Sequence, residues 1–229
     1  MQLKELLDTL KYGELSVMSW DEESNRLPQV ISYINQGLIN LYTKFPVLEK
    51  QVIVQQYPQI SIYNLTSEYA RTNTESTQYT KYILDTPFEP FTDDILLVTG
   101  LCDEYGRPIP LNDDNDPNSY FLPAFNQLQI PNANEEETTF VIYRAKPKYI
   151  EPTTKDYEQD VFLPLVLVEP LCCYVASKIL GAIGSQEELA RSQALNERYT
   201  ALCGEVVTNN LLGNNVTSTN IKPRIRGYA

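Results

Sequence analysis

The chain has 229 residues, of which 42% are hydrophobic and 21% are charged, and its formal net charge is -12. It is long enough for one large or two small domains with a sizeable core. It contains no histidine, which excludes Ser-His-Asp triads, Cys-His dyads, imidazole bases and histidine-containing zinc sites. The acidity argues against a body that wraps nucleic acid, because neutralising phosphates requires clustered Lys and Arg.

Two amphipathic helices are predicted at the N-terminus. The first has leucines at positions 3, 6, 7 and 10, which is the spacing of one apolar helix face, and it should end before Gly13. The second should begin at Pro28 and end at Pro46. Its apolar face is formed by Val30, Ile31, Ile34, Leu38, Leu41 and Phe45. The opening residues lack the apolar core and cleavage site of a signal peptide, and there is no 18-residue apolar run, so we expect no membrane partner.

From about residue 50 the hydrophobic period changes to the alternation that is typical of half-buried strands. Val52 and Val54, then Ile60 and Ile62, alternate with polar residues. Further strands are predicted at 82–84, 95–101, 127–130 and 139–144, with turn-rich segments between them. Short strands in this arrangement predict an antiparallel β-sandwich or barrel.

A second helical block follows a proline-containing linker. A third helix should begin near Pro164, with Pro170 as a kink or as the true start, and end at Gly184. Its apolar face is Val168, Leu171, Cys172, Val175, Ile179 and Ile183. Ser185 and Glu188 match a capping box that opens a fourth helix, which should extend to about Asn209. The inward residues predicted for this helix are Leu195, Tyr199, Leu202, Cys203 and Val206.

Together these elements predict an α+β fold. Residues 1–48 and 151–209 are expected to form one four-helix bundle, because the short break between helices three and four implies an antiparallel hairpin and the N-terminal helices have apolar stripes that need cover. Residues 49–150 would then be an inserted β domain. Residues 210–229 would be an extended C-terminal arm.

The C-terminal arm differs in charge from the rest of the chain. No acidic residue follows Glu205, while Lys222, Arg224 and Arg226 are present. The segment has no helical or alternating period, so it is either a disordered, solubilising terminus or an arm that becomes ordered on a partner. In the second case the cations would orient the arm, and burial of Ile225 and Tyr228 in a partner groove would supply most of the affinity.

Candidate chemical sites are few. Asp93 and Asp94 are the best-placed carboxylate pair, but the interpretation as a structural turn is favoured over acid-base catalysis. Asp113, Asp114 and Asp116 lack the glycine and glutamate of an EF-hand, so a solvated turn is favoured over a calcium site. The cysteines Cys102, Cys172, Cys173 and Cys203 have no metal-ligand spacing, and buried thiols are favoured over a disulfide that joins Cys203 to one of the adjacent pair. Phosphate-binding loops are absent. We therefore predict no enzyme activity, no cofactor and no metal.

Several stretches of the chain are similar to one family. The leucine-rich first helix is followed by Tyr12-Gly13-Glu14-Leu15, and the other matching stretches are residues 30–38, 41–45, 91–96, 110–113, 141–145 and 169–178. Together they resemble the head-to-tail adaptor, or connector, proteins of tailed bacteriophages, especially the tail tubular type of short-tailed phages. The resemblance covers most of the chain but includes no catalytic motif.

The resemblance implies a virion structural protein at the head-to-tail interface that is made in the cytoplasm of the bacterial host. Such subunits form a homo-oligomeric ring, commonly of twelve, that docks on the portal protein and continues the DNA channel for ejection towards a downstream tail or nozzle protein. DNA would pass through the lumen without specific binding. The portal-binding residues of the arm would be Lys222, Arg224, Ile225, Arg226 and Tyr228.

Two other classes of function remain open. One is a different virion component, such as a baseplate, neck or fibre-attachment protein that uses its β domain to bind a partner or a glycan. The other is an enzyme that acts through carboxylates. A trimer would favour the fibre or baseplate class, and a twelve-fold ring would favour the adaptor.

Overall fold

The computed structural model describes residues 1–16, 26–152 and 157–213. The helices within these residues are α1 (Leu3–Tyr12), α2 (Leu27–Lys44), α3 (Val168–Ile183) and α4 (Gln186–Thr208), and two short 3₁₀ helices cover Ser67–Tyr69 and Leu165–Leu167. The strands are β1 (Glu49–Gln55), β2 (Ile62–Asn64), β3 (Ile95–Cys102), β4 (Phe121–Ala124), β5 (Gln127–Gln129) and β6 (Thr138–Ala145). The predicted α+β content is consistent with this composition.

The chain divides into two compact units. The helical unit contains Met1–Val47 and the described residues from Pro147 onward. The β unit is Leu48–Lys146. All four helices belong to the first unit and all six strands to the second.

The first two helices have the predicted positions and apolar faces. Leu3, Leu6 and Leu10 are fully buried on α1, which ends before Gly13 as expected. The amide of Leu3 also donates to the carbonyl of Gln159 at 3.0 Å, so an extended segment of the later chain runs beside α1. On α2 the six predicted core residues are all buried.

The predicted four-helix bundle is wrong. In a bundle, four helices share one core, whereas here α3 is the common neighbour of α1, α2 and α4. The physical reason is that α3 is apolar on nearly all sides, and a helix of this kind lies at the centre of its unit. Nine of its residues are buried, while the longer α4 buries only Tyr199, Cys203 and Val206.

A close contact fixes the packing of α2 on α3. Gly37 of α2 faces Leu171, and a Cβ atom at Gly37 would lie 2.5 Å from a terminal methyl carbon of that leucine. Only glycine allows this approach without displacing Leu171, which is fully buried. The second helix therefore crosses α3 at Gly37.

The turn between α3 and α4 was largely predicted correctly. Gly184 has a φ of 80°, and the Ser185 hydroxyl accepts a hydrogen bond from the Glu188 amide at 3.2 Å. Pro170 lies in the first turn of α3, where no helical partner for its missing N–H is needed. The assignment of Ile183 to the apolar face was wrong, because its side chain is 45% exposed at the end of the helix.

The segment Leu165–Ile183 is long and apolar enough to cross a membrane by length and composition alone. More than half of it is buried inside the helical unit, and it carries Glu169 and Lys178. These properties are those of the core helix of a folded domain.

The β unit contains two three-stranded antiparallel sheets, with strand orders β1-β6-β3 and β2-β5-β4. Neither sheet closes on itself, so the predicted barrel is not formed, and the strands make two small sheets that share one core. Strand β4 was not predicted. The predicted strand at 82–84 is present only as isolated pairing, in which Ile83 bridges both Val54 and Ala70.

The β unit has its own hydrophobic core, and its first and last residues lie next to each other. Tyr63, Val54, Ile83 and Leu128 are fully buried in one hydrophobic cluster. At the start and end of the unit, the Ala145 amide donates to the Leu48 carbonyl at 2.9 Å. The points where the chain enters and leaves this unit are therefore adjacent.

Candidate interaction surfaces

The predicted portal-binding residues Lys222, Arg224, Ile225, Arg226 and Tyr228 lie outside the described residues. What the structure does describe is the segment that leads to them. After Thr208, the Asn209 amide donates to the Glu205 carbonyl and the Leu211 amide to the Val206 carbonyl, which ends α4. The turn continues to Gly213, whose φ is 64°.

A buried polar contact fixes α4 to α2. The Tyr199 hydroxyl donates to Asn40 Oδ1 at 2.8 Å and accepts from Lys44 Nζ at 3.1 Å. The same ammonium lies 4.5 Å from the centre of the Tyr199 ring. Burial raises the pKa of the Tyr199 phenol, so the group remains a donor at neutral pH. Helix α4 is therefore held by a directional contact as well as by its apolar face.

A second contact joins α4 to α3 and to the residues that follow α1. Arg198 Nη1 lies 2.9 Å from Glu14 Oε1, and Arg198 Nη2 lies 2.5 Å from Glu169 Oε1. The Arg198 side chain is half exposed, so each pair contributes only about 0 to 1 kcal/mol. The fork geometry of the guanidinium nevertheless sets the position of α4 relative to both partners. The C-terminal segment thus starts from a helix with a defined position.

One stripe of exposed residues along α4 carries a single charge, although Glu187 and Glu205 border it. It is formed by exposed residues at helical spacing, and only one of them is ionisable: Ala190, Gln193, Ala194, Glu197, Thr200, Ala201, Gly204 and Thr208. The other charged residues of α4 lie at the edge of this face or beside its buried side. Small side chains on an outward helix face allow another backbone to approach closely, as at Gly37 within the protein.

The outer face of α2 has no charge at all. Between Arg26 and Lys44 the chain carries no ionisable acid or base other than two tyrosines. The outward positions are exposed or half-buried polar and apolar residues: Gln29, Ser32, Tyr33, Gln36, Ile39 and Thr43. Helix α1 provides the contrast, because its outward positions include Lys4, Glu5, Asp8 and Lys11. Depletion of charge is the compositional feature that distinguishes interface cores from ordinary surface.

The candidate catalytic pair at Asp93 and Asp94 is occupied by structural contacts. Asp93 accepts hydrogen bonds from the amide and the hydroxyl of Ser67, both at 2.5 Å, and so caps a 3₁₀ helix. Asp94 accepts from Lys50 Nζ at 2.7 Å and from the Tyr143 hydroxyl at 2.9 Å. The two carboxylates point to different partners and do not form a shared acid-base site.

The acidic loop that was compared with a calcium site also forms local turns. Asp113 Oδ1 accepts from the Asn115 amide at 3.0 Å, and Asp116 Oδ1 accepts from the Asn118 amide at 2.9 Å. In the part of the chain that the structure describes, no group of three or more His, Cys, Asp or Glu side chains could hold a metal ion.

The four cysteines are free thiols, and Cys172, Cys173 and Cys203 are buried. The favoured interpretation of buried thiols is confirmed for these three, while Cys102 is half-buried. Burial raises the pKa of Cys172 to about 12 and that of Cys173 to about 11. Both thiols remain protonated and unreactive at neutral pH.

The uncharged face of α2 and the stripe of α4 with one charge were not identified from the sequence. A signal was present, because a run of 17 residues without Asp, Glu, Lys or Arg, from position 27 to 43, is unusual in a chain that is 21% charged. Its significance depends on which of those residues face outward, and that was known only once α2 had been placed against α3.

No protein-family model matches this sequence, and no curated protein matches it either.

Proposed function

We propose that this protein is a subunit of a head-to-tail adaptor ring of a tailed bacteriophage, in which the outer faces of α2 and α4 contact neighbouring subunits. One observation carries the proposal: on a strongly acidic chain, α2 has an outward face without charge and α4 has an exposed stripe with one charge, Glu197. The identity of the ring as an adaptor rests on the resemblance described above.

Two different faces are what a ring requires. A closed ring forms through a heterologous contact, in which one surface of each subunit meets a different surface of the next, whereas a two-fold dimer uses one face twice. We assign the α2 face and the α4 face to the two sides of this contact. The arm, with Lys222, Arg224, Ile225, Arg226 and Tyr228, would then reach the portal, and DNA would pass through the lumen.

The contact can be tested by adding one charge to each face. Ala201→Lys on α4 and Gln36→Lys on α2 would each place an ammonium in the contact, and its desolvation costs several kcal/mol. Thr9→Lys is the matched control, because Thr9 is exposed on the charged face of α1. We expect sedimentation and electron microscopy to show rings for the wild type and the control, and folded monomers for both face variants.

Mixing the two face variants tests whether the contact is heterologous. Each variant retains one intact face, so a mixture should form 1:1 dimers and no rings. The proposal is overturned if the wild type is a monomer or if the face variants assemble as the wild type does. A trimer would indicate a fibre or baseplate component.

A further inference from the structure

The β unit carries an acidic groove that neither the ring contact nor the arm explains. Its volume is about 410 Å³, and it lies between the turn at residues 103–107 and the segment at 134–138. Four carboxylates and one guanidinium line it: Asp103, Glu104, Glu136, Glu137 and Arg107. The groove therefore has an excess of negative charge.

Both walls of the groove are fixed by hydrogen bonds. On one side, Asp103 Oδ1 accepts from the amides of Tyr105 at 2.9 Å and Arg107 at 2.7 Å. On the other side, the backbone N–H of the buried Gln56 donates to the Glu137 carbonyl at 3.1 Å, and Gln56 Oε1 accepts from the backbone N–H of Asn134 at 2.9 Å. A preformed groove loses little conformational entropy when it binds a ligand.

The groove also has an apolar and aromatic part. Ile109 and Tyr120 line it together with the exposed Tyr105. The pKa of the Tyr105 phenol is raised by a hydrogen bond to Glu104 and by the negative charge of that residue. A ligand that fits this surface has several cations along an extended backbone, with apolar side chains between them.

The chain itself contains such a segment. Residues 221–229 read Ile-Lys-Pro-Arg-Ile-Arg-Gly-Tyr-Ala, and no acidic residue follows Glu205. An extended chain rises about 3.3 Å per residue, so Lys222 can lie up to about 30 Å from Gly213. Its three cations complement the four carboxylates, and Ile225 and Tyr228 complement the apolar part of the groove.

We propose that the acidic groove of the β unit binds the basic C-terminal segment of this protein, residues 221–229. The proposal does not depend on the ring, because it concerns only the groove and the segment. If the same segment also binds a portal, the two sites compete for it, and the groove withholds the segment until a portal is present.

Trypsin cleavage of the full-length protein tests the proposal. Trypsin cuts after Arg224 and Arg226, and a segment held in the groove is protected. We expect Glu104→Gln, Glu136→Gln and Glu137→Gln together to speed cleavage at these two sites about tenfold, because amides keep the shape of the side chains but remove the charge. The matched control is Glu75→Gln, Glu89→Gln and Asp114→Asn, which removes three exposed charges from the same unit outside the groove.

A labelled peptide of residues 219–229 gives a second measurement by fluorescence anisotropy. The full-length variant Arg224→Glu with Arg226→Glu should leave its own groove vacant and bind the peptide at least about tenfold more tightly than the wild type. Adding the three groove substitutions to that variant should abolish binding. Equal cleavage rates in the groove and control variants, or peptide binding that survives the groove substitutions, would overturn the proposal whatever the oligomeric state.

Discussion

Asn35 and Ile150 are joined by two hydrogen bonds across 115 positions of the chain. Asn35 Nδ2 donates to the Ile150 carbonyl at 2.7 Å, and the Ile150 amide donates to Asn35 Oδ1 at 3.0 Å. Both residues are buried. One side-chain amide thus satisfies both backbone groups of Ile150 and fixes the segment that re-enters the helical unit against α2.

Replacing Asn35 by alanine should lower the free energy of unfolding by about 2 to 4 kcal/mol. Two hydrogen bonds are lost, and the N–H and C=O of Ile150 remain buried without a partner. Urea unfolding followed by circular dichroism measures the change. Thr9→Ala, at an exposed position of α1 outside the proposed ring contact, is the control and should stay within about 0.5 kcal/mol of the wild type. A similar value for both variants would contradict the role of Asn35.

Asp85 should make the free energy of unfolding depend on pH in the acidic range. Burial tends to raise the pKa of this carboxyl, but hydrogen bonds from the hydroxyl and amide of Thr72 and from the Phe91 amide outweigh it and lower the pKa. A pKa that is lower in the folded state than in the unfolded state stabilises the protein above about pH 4, and this contribution is lost as the pH falls through the folded-state value.

Asp85→Asn should therefore cost about 1 to 2 kcal/mol at pH 7 and less at about pH 2.5, because the wild-type carboxyl gains protons as the pH falls towards its folded-state pKa. Urea unfolding of both proteins at the two pH values measures the difference. Asp114→Asn, which removes an exposed side chain of the same unit, is the control and should change the free energy of unfolding by no more than about 0.5 kcal/mol. A cost that is the same at both pH values would show that the charge of Asp85 does not stabilise the fold.

Under the proposed function, deleting residues 210–229 should leave the protein folded and abolish binding to a portal protein. The described part of this segment is mostly exposed and contributes little to the helical core. Circular dichroism checks the fold, and co-sedimentation with the portal checks binding. Unchanged affinity after the deletion would exclude the arm as the portal contact.

Substitutions in the arm can separate the contribution of its charges to portal binding from the contribution of its apolar contacts. Arg224→Glu with Arg226→Glu should weaken portal binding at least about tenfold at low ionic strength and less at high salt, because exposed charges are screened there. A loss that does not vary with salt would assign the binding to Ile225 and Tyr228 rather than to the charges.

The sequence was sufficient for the helices because their periodicity is local. The leucines at 3, 6, 7 and 10 and the Ser185 cap each concern residues within one or two turns, and the structure has both. The packing of the helices depends on contacts between residues far apart in the sequence, so local periodicity did not predict it. Pairing α3 with α4 by their short turn suggested a bundle, while the apolar side chains on most sides of α3 indicate a central helix with neighbours on several sides.

The prediction of the candidate interaction surfaces depends even more on knowing which residues the tertiary fold brings together. The uncharged run in α2 was visible, but its meaning required knowing that Gln36 and Ile39 face outward while Gly37 faces Leu171. The acidic groove joins residues 56, 103–107 and 134–138, which only the strand pairing brings together. Polar residues such as Asn35 and Gln56 are buried because their side-chain amides form hydrogen bonds with backbone groups far away in the sequence. No local sequence pattern predicts such contacts.

The hydrogen bond between Leu48 and Ala145 bears on the order in which the protein folds. In the unfolded chain, bringing α2 to α3 means closing a loop of roughly 120 residues, which costs about 4 kcal/mol of chain entropy. Formation of the β unit brings residues 47 and 147 together first, so the helices then meet as if they were joined by a short connection. Helix docking should therefore follow the pairing of β1 with β6, and mutations that slow this pairing should delay formation of the helical unit.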